Sequence, residues 1–155
     1  MRLSQRQLIL LAACGSAALM LGALAFQHIG GMAPCKLCLW QRWPHVIAIA
    51  LGAAALLALP RLMALGGLLA ALSTAALGGY HTGVERGWWE GPSECSSSGA
   101  AGLSSDELFN QIMAAPLVRC DEVPWEMLGL SMASWNMLLS LGLAALWLMA
   151  LRALR

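Results

Sequence analysis

The sequence predicts an all-α membrane protein, a four-transmembrane-helix bundle forming a single membrane domain over residues 1–155. Both termini are expected on the cytoplasmic side, with a long second loop on the periplasmic side. Three observations predict this. Of the 155 residues, 59% are hydrophobic and 11% charged, too few charges for the surface of a soluble domain of this length. Four stretches approach the roughly 20 apolar residues that crossing a bilayer requires. The charges are also sorted along the chain: Arg2, Arg6, Arg61, Arg152 and Arg155 fall at the N-terminus, the second turn and the C-terminus, whereas all eight acidic residues fall between Glu85 and Glu126. By the positive-inside rule the arginine-bearing ends face the cytoplasm.

The first span is expected at about Leu8–Phe26. Leu11-Ala12-Ala13-Cys14 has the look of a lipoprotein-processing box and Ala23-Leu24-Ala25 that of a signal-peptidase site. The apolar run nevertheless continues unbroken through Phe26, which suits an uncleaved span. Cys14 is then expected to be a buried small hydrophobe with no redox role. The first outward segment, about 27–38, contains Gly30-Gly31 and Pro34 and reads as an irregular connection. The second span is expected at about Leu39–Leu59. Val46–Leu59 alone reaches roughly 21 Å at 1.5 Å per residue, short of a roughly 30 Å hydrocarbon core, so the helix should begin near Leu39. Pro44 should kink it.

A turn at Pro60-Arg61 makes the second span and the third, about Leu62–Tyr80, an antiparallel hairpin. The second outward loop, about 81–131, carries Ser96–Ser98, three prolines and no sustained strand pattern. Within it Ser104-Ser105-Asp106-Glu107 reads as a capping box. Leu108, Phe109, Ile112 and Met113 follow at one-face helical spacing, and Pro116 ends the run. That short helix would lie on the membrane surface or pack on the loop. The fourth span is expected at about Met132–Leu151.

Chemistry concentrates on the outward side, which in a bacterium is the disulfide-permissive compartment. Cys35-Lys36-Leu37-Cys38 stands just before the second span, and Cys95 and Cys120 lie in the long loop. A CxxC pair holds two sulfurs within bonding reach and can cycle between dithiol and disulfide. A second pair on the same side gives it an exchange partner, so the arrangement points to a thiol–disulfide relay at a membrane surface. Cys38, next to the expected helix start, gains thiolate stabilisation from free amides and the helix dipole. Arg42 lies on the same helical face, one turn deeper, and can support a thiolate or an anion developing on a bound acceptor. An arginine there costs a few kcal/mol unless it snorkels or is partnered, and Trp40 and Trp43 would frame a snorkelling side chain. His45, seven residues beyond Cys38, reads as an interfacial histidine rather than a ligand.

Other uses of these residues fit less well. Haem attachment needs a histidine where Leu39 stands. Zinc could take all four outward cysteines, but the outward compartment and the single CxxC argue against it, and no metal site is expected. Purely structural disulfides remain an alternative. A net charge of +1 without a basic cluster gives no footprint for nucleic acid.

These residues resemble the disulfide bond formation protein B family of membrane thiol oxidases. The likeness covers nearly the whole chain. It comprises four spans, the Cys-x-x-Cys-Leu-Trp-Gln-Arg run, His81-Thr82 after the third span, a cysteine pair in the long loop, and Cys120 followed by Trp125, Leu128-Gly129-Leu130, Met132 and Trp135. The resemblance implies a bacterial inner-membrane protein that reoxidises a periplasmic, DsbA-like thioredoxin-fold oxidase. It implies Cys95 as the partner-exchange cysteine, Cys120 as relay, Cys35 as acceptor, and Cys38 as electron donor to a membrane quinone, ubiquinone or menaquinone. It places Arg42 and His81 at the quinone, although His81 could equally cap the third span. The Trp88-Trp89 pair and Lys36 depart from the family pattern and bear on partner and potential. Two alternatives stay open: a conduit carrying electrons outward on the same scaffold, and a non-catalytic scaffold stapled by disulfides.

Overall fold

The protein is described by a computed structural model covering residues 3–58, 60–92, 104, 106, 109 and 118–153. Four helices are present among these residues: α1 (Gln5–His28), α2 (Lys36–Ala55), α3 (Pro60–Glu85) and α4 (Met132–Arg152). A two-residue ladder precedes α4, with β1 (Glu126–Met127) antiparallel to β2 (Leu130–Ser131). Helices α1, α3 and α4 are long and apolar enough to cross a membrane. Each helix packs on its chain neighbours, and α1 closes the ring on α4, giving an up-down-up-down bundle in which α3 and α4 share the largest interface.

Local chemistry explains the helix ends. Ser4 caps α1 through a reciprocal box with Gln7, which satisfies amides that have no helical partner. Ser131 caps α4 by accepting from the Ser134 amide at 3.2 Å. Proline at the first position of α3 loses nothing, because that amide has no helical acceptor. The sequence expectation was wrong on α2. The helix starts at Lys36, not near Leu39, because the Cys35 side chain caps it by accepting from the Cys38 amide. Helix α3 also runs beyond the expected Tyr80, so His81 and Glu85 sit on its last turns.

The end of the bundle away from the thiols is tightly interlocked. Leu8, Ile9, Ala12, Ala64, Ala71, Leu143, Ala144, Trp147 and Ala150 form one buried cluster. Small residues admit the large one: a Cβ on Gly67 would lie 2.5 Å from the Trp147 ring, and one on Gly52 would collide with Ala13. This close approach through glycine and alanine is the usual way apolar helices pack where lipid offers no hydrophobic contrast. Cys14, expected as a small hydrophobe buried inside the membrane, lies on the outer face of α1, the face a bilayer would cover.

The opposite end is polar and carries the turn that sequence reading did not find. Leu128 and Gly129 both have positive φ, 56° and 75°, the backbone a two-residue hairpin turn requires. The hairpin holds Trp125 against Phe26 of α1, ring centroids 5.1 Å apart, and lets the Trp135 indole donate to the Met127 carbonyl at 3.1 Å. The surface helix expected over 104–113 falls largely outside the described residues, as does Cys95.

Candidate active site

The first thiol pair is built on the start of α2. Cys35 is the N-cap, and its Sγ accepts from the Cys38 amide at 3.1 Å, the place a serine oxygen usually takes. Cys38 is half-buried in the first turn, where unpaired amides and the helix dipole favour an anion. The mid-helix proline, Pro44, lies nearly two turns below and is buried. Helix α3 brings His81 to the pair, with Nε2 3.6 Å from Cys35 Sγ and 3.9 Å from Glu85 Oε1. Ser131 donates to the Glu85 carboxylate, tying the end of α3 to the start of α4.

Cys120 reaches the same place from the loop. It is 0% exposed, is disulfide-bonded, and packs with Cys35, Leu37 and Val84 in one buried cluster that Cys38 and Val118 flank. Its backbone is hydrogen-bonded to the His81 ring. A cysteine from the loop therefore lies beside the first cysteine of the CxxC pair, which is what disulfide exchange between the pairs needs. Two further features shape the surroundings. Pairing with Cys38 and burial push the Cys35 thiol up. Next to Cys120, Arg119 donates to both Asp121 oxygens at 2.9 and 2.7 Å and holds that carboxyl below the usual range.

A cavity of about 700 Å³ adjoins the thiols, within the range of small-molecule sites. Its apolar walls include Leu19, Phe26, Trp135 and Leu139, and Cys35, Cys38, Arg42 and His81 line it too. Arg42 is half-buried and donates to Gln27 Oε1 at 2.6 Å, so it has a protein partner inside the bundle. The lining thus sets apolar walls beside the sulfurs of Cys35 and Cys38 and the guanidinium groups of Arg42 and Arg119.

Of the residues singled out by sequence, Cys35, Cys38, Arg42, His81 and Cys120 are brought together, and Cys95 lies outside the described residues. His81 is not a loop cap but a buried helical residue. His45 is buried rather than interfacial, with Nε2 2.9 Å from Asn136 Oδ1 and 3.2 Å from Thr74 Oγ1. Sequence reading missed Gln41, Thr74, Asn136 and Glu85. The available signal was polarity: an amide or carboxylate in an apolar span is costly and marks function by default.

The family description "Disulfide bond formation protein DsbB" matches residues 5–150. The chain belongs to the DsbB family. Disulfide bond formation protein B of Methylococcus capsulatus is 35% identical over 92% of this chain and 91% of its own length. The protein of that name from Azoarcus sp. is 33% identical over 98% and 96%. An uncharacterized protein of Rickettsia prowazekii is 31% identical over 74% of this chain and 69% of its own. No solved structure matched the chain. Membership makes this DsbB-family chain a multi-pass membrane protein of disulfide bond formation, a disulfide-forming oxidoreductase.

Proposed function

We propose that the protein sits in the bacterial inner membrane, its thiols facing the periplasm, and reoxidises a DsbA-like thioredoxin-fold dithiol at the expense of a membrane quinone. The observation that supports this most is the shared wall: Cys38 and Arg42 line one apolar cavity whose rim carries Cys35, against which Cys120 packs. In this reading α2 is the fourth span, although with Lys36, Arg42, Pro44 and His45 it is not among the three helices that are apolar enough to cross a membrane by composition alone.

The partner's thiolate attacks Cys95, forming a mixed disulfide and releasing Cys120 as a thiolate. Cys120 attacks Cys35, breaking its bond to Cys38 and leaving Cys38 as the thiolate beside the cavity. The helix start holds that charge through unpaired amides. The partner's second thiol then releases the oxidised partner from Cys95. Cys95 re-forms its bond to Cys120 and frees Cys35, and Cys35 and Cys38 close again to a disulfide. Their two electrons and two protons are what a quinone held beside Cys38 would take up as it becomes quinol. Arg42 would hold such a ring by offering a guanidinium N–H to an oxygen, and the apolar walls of the cavity would keep water from the sulfur. Each roughly 30 mV of potential difference favours the transfer by about 1.4 kcal/mol.

The test is quinol formation after anaerobic addition of quinone to the reduced protein in nanodiscs. Quinol should appear with the natural chain and fall to background in Cys38→Ser, while Cys95 still exchanges with a partner. Quinol formed at the natural rate by Cys38→Ser would overturn the assignment.

A further inference from the structure

The hydrogen bonds around His81 form a line across the bundle, and their directions can be assigned. Gln41 Nε2 lies 3.1 Å from the Leu37 carbonyl, which can only accept, so this atom is the amide donor. The same Nε2 lies 2.8 Å from His81 Nδ1. Nδ1 therefore accepts, and the proton of the neutral ring is on Nε2. Asn136 repeats the pattern one step deeper. Its Nδ2 lies 3.4 Å from the Thr74 carbonyl and 2.8 Å from Gln41 Oε1, so its Oδ1 is left to accept from His45 Nε2 at 2.9 Å. From His45 through Asn136 and Gln41 to His81, every bond donates in one direction. The outer end is the His81 Nε2–H: with Nδ1 accepting from Gln41, it is the nitrogen left to donate to the Cys120 backbone, and it lies 3.6 Å from Cys35 Sγ.

We propose that Gln41, braced by Asn136 and His45, is a positioning residue: it holds His81 in the Nε2–H tautomer and aims that proton at the Cys35 sulfur. This deepens the relay reading above and rests on it. Cys35 needs such a donor. It is buried, it is paired with Cys38, and the Glu85 carboxylate faces the same imidazole edge. Among the described residues, the titratable and charged groups that act on the two sulfurs, besides one another, are His81 and Glu85 from α3 and Arg42 from α2, and Arg119 and Glu122 line the same cavity from the loop. Beside the Cys38 amide, which already donates to Cys35 Sγ, His81 is the group among the described residues whose ring N–H faces that sulfur. Each time exchange releases Cys35 as a thiolate, Nε2–H meets the new charge and stands between it and Glu85. A line of amides and imidazoles inside a helical bundle also joins α2, α3 and α4 mechanically, and the two roles are separable. An ion shared by Cys35, Cys38 and His81, whose donor atoms lie within 4.8 Å of one another, would require the opposite tautomer, with a bare Nε2.

The experiment is ¹⁵N NMR of histidine-labelled, reduced protein in nanodiscs, with peptide-resolved alkylation of Cys35 across pH. In the unaltered chain His81 should show a protonated Nε2 and a bare Nδ1. Gln41→Glu replaces the donor with an acceptor and should reverse the two nitrogens. Its Cys35 alkylation profile should move up by about one pH unit, roughly tenfold slower near neutrality. Gln41→Met should give mixed tautomers and an intermediate profile. A bare Nε2 in the unaltered chain overturns the proposal without any variant. So does a Cys35 profile that stays put while the tautomer reverses, since a merely mechanical link would behave that way. These readouts need no quinone. Absence of quinol formation alongside the expected NMR result would sink the quinone reading and leave this one standing.

Discussion

The two ends of the bundle use the same four helices and solve opposite packing problems. Away from the thiols, glycine and alanine let Trp147 fill the centre, and the cluster around it is apolar. At the thiol end the helices stand around a cavity of about 700 Å³ and a connected set of buried polar side chains, Gln41, His45, Thr74, His81, Ser131 and Ser134. The first end is packed closely around Trp147. The second leaves room for a reacting group and pairs the polar side chains that reach it, His45 Nδ1 excepted, which costs more per residue and specifies more. The difference teaches where stability and chemistry are held: they are segregated along the helices, not mixed.

That segregation can be broken in order of effect. Trp147→Ala should be the largest, lowering stability by about 3–5 kcal/mol in a reversible SDS or thermal unfolding assay while the protein that remains folded reacts normally. A loss of quinone reduction without loss of stability would contradict the separation. Arg42→Ala should do the reverse. Removing a charged donor to a bound oxygen should weaken quinone binding by about 1.5–3 kcal/mol, seen as a raised KM with unfolding unchanged or slightly later, since a buried guanidinium is itself costly. Gly67→Ala forces a methyl against the Trp147 ring and should cost about 1–3 kcal/mol, again with no change in KM.

The smallest effect sharpens the comparison at the loop. Arg119 holds the Asp121 carboxyl down, so the folded chain gives up that proton at lower pH than the unfolded chain does. The stability linked to this pair is therefore full above the ordinary aspartate value of about 3.9 and is lost as pH falls through the lower folded value. Both side chains are partly exposed, so the linked free energy is small. An NMR titration of Asp121 should give a midpoint below that ordinary value, returning to it in Arg119→Gln. An unshifted Asp121 in the natural chain would show that the pair does not hold the segment beside Cys120.

Much of this was legible in the sequence because bilayer-length apolar runs leave few arrangements. The four runs gave the helices, and the CxxC spacing with Arg42 gave the thiol end of the cavity. What was not legible depended on which side chain replaces which backbone partner. The start of α2 was missed because cysteine was read as a nucleophile and not as a cap, although its sulfur accepts from the Cys38 amide. His81 was left open between cap and site because one helix period cannot say how far α3 continues past Tyr80. The hairpin at Leu128-Gly129 was missed because a leucine with φ 56° is a conformation its residue type disfavours. Gln41 was quoted within the motif yet given no role, since its partners His81 and Asn136 lie 40 and 95 positions away.

One consequence follows from the cavity's walls. Much of its lining comes from α1 and α4, including Ala18, Leu19, Gly22 and Leu139, with Phe26 and Trp125 in ring contact at its outer edge. A ligand that reaches it along the seam between those helices travels in two dimensions and never enters water. What governs occupancy is then the ligand's mole fraction in the surrounding lipid, so a site of modest intrinsic affinity stays filled. Turnover would depend on membrane composition, and enriching or diluting the pool in vesicles at fixed total amount should change the rate when the protein itself is untouched.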